Sequence, residues 1–307
     1  MEARFYKSMG ENSVIDYMHL AMAKKEGARG YAAATTALVE AARQRHNTSP
    51  TATVALGRAL TAAVLMSGLL KVGQRVALKW EGNGPLRRVV AEADAKGRVR
   101  GYVAEPQVDL PLVQGEYDVA SAIGAAGLLT VVRDLRLPEL ATGVVHLVGS
   151  NIDDDLMYFL EQSDQVPSAL EIGVTLNEDG SVAEAGGILI QPLPPYDPAI
   201  IERLKERLQE LPPIEAMLAE GKKPEQILDE VFVGITHTLL SKYPVRFECN
   251  CSREQTMGLL VSLGRDELEE ILEHEGQAVV NCQFCHEEYV FDREDLLSIL
   301  QSMEEEE

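Results

Sequence analysis

Apolar residues follow different rhythms in different parts of the chain, and the rhythms predict the elements. Between Pro50 and Lys71 they run almost without a break, rich in Ala, Leu and Val, and Gly73 ends the run. Thr48 and Ser49 offer capping oxygens just before Pro50, so this predicts a helix that is buried on all sides. Residues 28–39 are small and β-tolerant and read equally as strand or helix. From residue 75 to 104 the period shortens to two. The runs QRVALKW, LRRVVAEA and RVRGYVA, separated by the turns EGNGP and DAKG, predict a β-meander. Residues 128–148 form a second β-rich stretch. Asp153, Asp154 and Asp155 then open a short helix through Gln162, three acids suiting a positive helix N-terminus. Residues 169–176 and 182–191 read as strands around a turn at 177–180.

A boundary follows. QPLPPYDP packs four prolines into eight residues, which no helix interior tolerates. Beyond it Ile200, Ile201, Leu204, Leu208 and Leu211 make an apolar stripe among charges, an amphipathic helix stopped by Pro212 and Pro213. A second short helix starts near Pro224 and shows Ile227, Leu228, Val231 and Phe232. Such helices serve either as connectors packed on the first domain or as a conditional surface, since short one-faced helices are marginal without a partner. The expected architecture is α+β: a mixed α/β core domain over residues 1–192, a helical linker over 193–244 and a small C-terminal domain over 245–307.

Composition narrows the function. With 46% hydrophobic and 25% charged residues the chain forms a core and is not disordered. Lys and Arg number 28 against 49 Asp and Glu, a net charge of −21 that repels nucleic acid phosphate. Residues 201–307 alone carry 10 basic and 25 acidic side chains, and residues 304–307 read as a solvated acidic tail. The first nineteen residues include Glu2, Glu11 and Asp16 and lack the apolar core of a signal peptide. The charge-free run 119–132 is 14 residues, short of the ~20 that span a bilayer. No internal repeat is visible. A cytosolic location is expected, and there clustered cysteines favour metal binding or redox chemistry over permanent disulfides.

All four cysteines lie in the last 59 residues: Cys249-x-Cys251, thirty residues, then Cys282-x-x-Cys285. Two close pairs of sulfurs match tetrahedral S₄ coordination of Zn²⁺. Between the pairs, Ser252 is placed to cap a helix that Gly264 interrupts. Residues 266–275 supply a second helix with Leu268, Ile271 and Leu272 as its apolar face, and residues 277–281 and 287–291 make a hairpin. A segment of this size has barely enough core, so the metal decides whether it folds. Zinc-bound sulfurs are thiolates, the form oxidants attack, so oxidation is expected to unfold it. His274 and His286 read as surface histidines rather than ligands. His19, His46, His146 and His237 show no serine–carboxylate or cysteine pattern, so no catalytic arrangement stands out and the chain is not expected to be an enzyme. Gly82, Asn83 and Gly84 lead into a strand, which makes them a hairpin turn and not a phosphate loop.

The cysteine pattern, the lead-in VRFECNCSRE and the close CQFCHEEYVF resemble the redox-regulated 33-kDa heat-shock chaperone family, the bacterial zinc-binding holdases. The resemblance extends to EGNGPLRRVVAEADAKGRVRGYV, YFLEQSDQVPSALEIGV and AGGILIQPLP, so it covers essentially the whole chain with no departure at the cysteines. It implies that reduced Cys249, Cys251, Cys282 and Cys285 bind one Zn²⁺ and keep the chaperone inactive. It further implies that peroxide with mild heat, or hypochlorous acid, joins Cys249 to Cys251 and Cys282 to Cys285. The C-terminal domain and linker would then unfold and the protein dimerise, holding unfolding client proteins without ATP. A bridge across a single intervening residue closes a small strained ring of the reducible, regulatory kind. Residues 197–240 are the expected client-binding segment.

Three rival readings fit the residues less well. A zinc-ribbon nucleic-acid or adaptor module conflicts with the acidic C-terminal third. A base deaminase needs H-x-E and a later P-C-x-x-C, but Asn281 precedes Cys282, and a saturated S₄ site leaves no position for water. A thioredoxin-like oxidoreductase needs a βαβ context that is absent here.

Overall fold

The computed structural model describes residues 16–305, so the first fifteen of the nineteen residues read as lacking a signal peptide's apolar core, and the last two glutamates of the acidic tail, lie outside the described residues. The chain forms two compact units that divide after Glu248.

The larger unit starts with β1 (Tyr17–Ala23) and β2 (Ala28–Ala34), then α1 (Thr36–His46) and α2 (Pro50–Ser67). The ambiguous stretch 28–39 is therefore both, strand first and helix after. The meander follows as β3 (Arg75–Gly82), β4 (Arg88–Asp94) and β5 (Arg98–Val103). Then come α3 (Val119–Ile123), β6 (Gly127–Asp134), β7 (Ala141–His146), α4 (Ile152–Gln162), β8 (Ala169–Leu176) and β9 (Val182–Pro192). Three helices, α5 (Pro198–Glu210), α6 (Ile214–Ala219) and α7 (Pro224–Val231), lead to β10 (Thr238–Pro244) and the two-residue β11 (Arg246–Phe247).

Two sheets result, ordered β10-β1-β2-β9-β8 and β11-β5-β4-β3-β6-β7, antiparallel except where β11 joins β5. Helix α2 packs against strands of both sheets, and every one of its residues but Pro50 and Arg58 is buried, as the unbroken apolar run requires. It stops at Ser67 rather than Lys71. Gly68 lies against Tyr31, where a Cβ would stand 2.7 Å from the ring, and Leu69 and Leu70 pack in the following turn. Ser49 precedes the helix without capping it; its hydroxyl donates instead to the Val108 carbonyl at 2.8 Å, tying down residues 106–108. Of the three helix-opening acids in α4, Asp155 turns back to accept the amides of Val148, Gly149 and Ser150, and Asp153 faces Arg58 at 3.9 Å. The Gly82-Asn83-Gly84 turn does lead into β4.

The five-stranded sheet is buried on both faces, which strict alternation makes possible. Tyr31, Ala33 and Leu189 face α2, while Ala28, Ala32, Ile188 and Ile190 face α5–α7. The linker helices bury Ile200, Ile201, Leu204, Leu208, Ile227, Leu228, Val231 and Phe232 there, together with Ile214, Met217 and Leu218 of α6, a helix the proline pattern concealed. Glycines set the approach: a Cβ at Gly30 would lie 2.6 Å from Phe232, and one at Gly186 2.5 Å from Leu218.

One polar contact at this docking face titrates. Glu171 of β8 accepts the Ile214 amide at 2.7 Å; burial pushes its carboxyl from 4.5 up to about 7, against that amide, with Glu215 and Asp153 pushing the same way. The docked state thus holds a proton that the undocked state lacks. This stabilisation is complete below pH 4.5 and is lost as pH rises through about 7. On the order of 1 kcal/mol, roughly fivefold in opening, is expected for this partly solvated group. Proteolysis within residues 198–232 should accelerate by that factor from pH 6 to pH 8, and Glu171→Gln should flatten the dependence.

The smaller unit contains α8 (Arg253–Val261), α9 (Arg265–His274), the hairpin β12 (Ala278–Asn281) and β13 (Glu288–Phe291), and α10 (Arg293–Glu305). Ser252 caps α8 through Gln255, as its position predicts. Helix α10 extends through Glu305. Leu296, Ile299 and Leu300 on that helix are buried, so it contributes to the core.

Candidate metal centre

The two cysteine pairs, thirty residues apart in sequence, meet in the small unit. Cys249 and Cys251 come from the extended chain before α8, and Cys282 and Cys285 from the turn joining β12 to β13. That turn is closed by backbone bonds from Cys282 N to Glu287 O at 2.9 Å and from His286 N to Cys282 O at 2.8 Å. His286 takes the left-handed conformation, φ +55°, which lets the chain reverse directly after Cys285.

All four Sγ atoms lie within 4.8 Å of one another. Close approaches run across the two motifs, 3.8 Å from Cys249 to Cys282 and 3.3 Å from Cys251 to Cys285. A tetrahedron with metal–sulfur bonds of about 2.3 Å has edges of about 3.8 Å, so these thiols can hold a metal ion. Cys285 is buried and the other three are half-buried. Burial is the main reason the thiols of Cys251 and Cys285 titrate above their ordinary range; the other three thiols add to it at Cys285, whereas at Cys251 only Cys249 does and the contacts with Tyr289 and Cys285 oppose it. Four thiolates so close together need a cation between them, and a bound divalent ion reverses this pKa logic.

Sequence reasoning missed the hydroxyl beside the cluster. Tyr289 of β13 donates to Cys251 Sγ at 3.2 Å. The signal was present in the hairpin: pairing of Val280 with Tyr289 sets that side chain two residues from Cys282 along the partner strand. His274 and His286 are exposed, and neither belongs to the cluster.

Beneath the cluster, Leu260, Leu268, Leu272, Ala278, Phe291, Leu296, Ile299 and Leu300 form the unit's own core. Arg253 ties its edge by donating to the Val290 carbonyl at 2.6 Å and lying over the Phe291 ring at 4.3 Å. Among the described residues, no helix is long and apolar enough to cross a membrane.

Comparison with known proteins places this arrangement. A family model described as Hsp33 protein matches residues 16–292. The 33 kDa chaperonin of Citrifermentans bemidjiense is 48% identical over 285 residues, which is 93% of this chain and 97% of that protein. The 33 kDa chaperonin of Bacillus pumilus is 44% identical over 283 residues, covering 92% and 97%. The crystal structure of the 33 kDa chaperonin of Thermotoga maritima superposes with a TM-score of 0.85 at 37% identity, covering 94% of this chain and 99% of that one. Matched along nearly its whole length in sequence and in fold, the chain belongs to the Hsp33 family.

Proposed function

We propose that this protein is an ATP-independent holdase of the cytosol, switched on by oxidation of Cys249, Cys251, Cys282 and Cys285. The observation that carries the reading is the convergence of four thiols within 4.8 Å in a unit with only a small core of its own. The membership of a family whose relatives are named chaperonins supports the chaperone part.

In the reduced protein the four thiolates would ligate Zn²⁺, which supplies the positive charge that lets them sit together and ties the chain before α8 to the hairpin turn. Oxidation joins Cys249 to Cys251 and Cys282 to Cys285. In each pair two thiolates give two electrons to an oxidant such as peroxide, whose O–O bond breaks to leave two hydroxide ions while one S–S bond forms. A disulfide sulfur no longer has the thiolate charge that ligation requires, so the small unit loses its cross-link and unfolds. The linker segment 193–244 is the second element of the switch, its helices α5–α7 presenting an apolar face once undocked. Clients are unfolding proteins, and the oxidised form is a homodimer. Nucleic acid is not a partner, given the acidity around the site.

Measuring bound zinc, free thiols and suppression of a client's thermal aggregation, before and after peroxide at elevated temperature, tests this. Activity should rise as zinc and thiols fall together; equal activity in both states with zinc retained would sink it. Tyr289 provides a finer check. Tyr289→Phe removes the hydroxyl donor to Cys251 and should weaken zinc about tenfold, read by competition with a chromophoric chelator, while the zinc-saturated unit keeps its fold.

A further inference from the structure

We propose that β1 is the client-binding edge of the opened protein: once β10 leaves, an extended segment of an unfolding polypeptide takes its place by adding a strand. The proposal rests on the switch reading above and specifies how clients are held.

The seat is described by its present occupant. β10 pairs antiparallel with β1, Tyr17 opposite Pro244, Met18 opposite Tyr243, His19 opposite Lys242, Ala21 opposite Leu239 and Met22 opposite Thr238, with an irregularity between His19 and Ala21. Not one of its seven side chains is buried; they alternate between exposed and half-buried. Leu239 and Tyr243 pack partly against the two cores and the Lys242 ammonium lies 3.5 Å from the centre of the Tyr17 ring. With no side chain buried, however, the backbone ladder is the common element of the pairing, and such a seat accepts varied extended sequences that can alternate. β1 presents seven residues, an edge of about 23 Å at 3.3 Å per residue.

Position in the chain makes β10 removable. It directly follows the linker helices within the segment 193–244, and its last residue, Pro244, stands five positions before Cys249. Undocking of α5–α7 removes its support on the N-terminal side in sequence; on the C-terminal side Val245 is buried in the larger core and β11 pairs with β5, so opening also has to peel away these two contacts. Its removal would open a strand whose own side chains are already anchored, Met18 and Leu20 in one core and Ala21 and Ala23 in the other. An edge strand without its partner is a template for any polypeptide with unpaired amides, a hazard in most proteins and here a usable one. The sheet face uncovered by the same event is lined on β1 and β2 by Ala21, Ala23, Ala28, Gly30 and Ala32. These side chains offer shallow relief, so they admit varied client side chains and leave the main-chain edge to supply the grip.

Amide hydrogen exchange of the full-length protein tests the proposal, with permanently unfolded, carboxymethylated α-lactalbumin as the client. Amides of residues 17–23 should exchange at least about tenfold faster after oxidation and regain protection when the client is added. A labelled peptide of residues 238–244 should bind the oxidised protein at least about tenfold more tightly than the reduced one. The same peptide N-methylated at alternate amides, in either phase, should lose that binding in one phase. If the β1 amides stay protected while aggregation suppression appears, the edge proposal falls and the switch reading stands. It falls also if both methylated peptides bind as well as the parent, or if raising the protein concentration alone restores protection, which would make a second copy the occupant. If oxidation changes neither zinc content nor activity, the switch reading and the edge proposal fall together.

Discussion

Removing the metal, by a strong chelator or by Cys285→Ser, is expected to unfold residues 249–307 and to leave residues 16–248 folded. The asymmetry follows from where each unit gets its stability. The small unit buries eight apolar residues in its core, whereas the larger unit has two separate cores that draw on both sheets and contain no cysteine. A structural Zn²⁺ contributes on the order of 10–16 kcal/mol, against a net stability of roughly 5–15 kcal/mol for a typical domain. Cys285 is the buried thiol, so its serine variant both withdraws a proposed metal ligand and leaves a hydroxyl in its place. Exchange measurements should show α8, α9 and α10 losing protection together, while Trp80, the single tryptophan and fully buried in the larger unit, keeps its emission. Persistence of protected α8–α10 after complete metal removal would mean that the eight-residue core suffices.

Phe232→Ala is expected to release the linker helices without any oxidant. Phe232 is wholly buried and its ring lies where a Cβ on Gly30 would stand, 2.6 Å away, so it fills the place the missing side chain leaves on β2. Truncation of such a ring costs about 3–5 kcal/mol. Helices of six, eight and thirteen residues cannot absorb that loss, since each is marginal without its sheet. The reduced, zinc-loaded variant should bind apolar dye, expose residues 198–232 to protease and suppress client aggregation. Gly30→Val should act alike from the other side of the contact, by collision rather than by cavity. Unchanged Trp80 emission separates undocking from global unfolding. A variant that undocks yet leaves aggregation unchanged would show that the linker face plays no part in holding clients.

Most elements were legible because their signals are local. The all-apolar run of α2, the two-residue period of β3–β5 and the C-x-C and C-x-x-C spacings are each set by neighbours in sequence. The elements that escaped have their reasons elsewhere in the fold. β1 and β2 consist largely of small or mixed side chains, YMHLAMA and ARGYAAA, with no strong period, because both faces of their sheet are covered. β10 buries none of its side chains and exists because β1 offers it an edge. α10 carries acidic residues at its end, yet Leu296, Ile299 and Leu300 pull it into the core. Tyr289 was visible as a strand residue but not as a donor to sulfur, since that depends on which hairpin partner stands opposite.

The sequence by itself determined the chemistry: four thiols in two close pairs, an acidic C-terminal third and a proline-marked boundary, all readable from residue type and spacing. Tertiary structure decided which distant segments meet. It brought the two pairs within 4.8 Å, laid the linker helices over glycines of the five-stranded sheet, and used the chain just before Cys249 as an edge strand. Spacing constrains only residues that are close along the chain, whereas these contacts join segments tens to hundreds of residues apart and depend on which faces and edges remain to be covered.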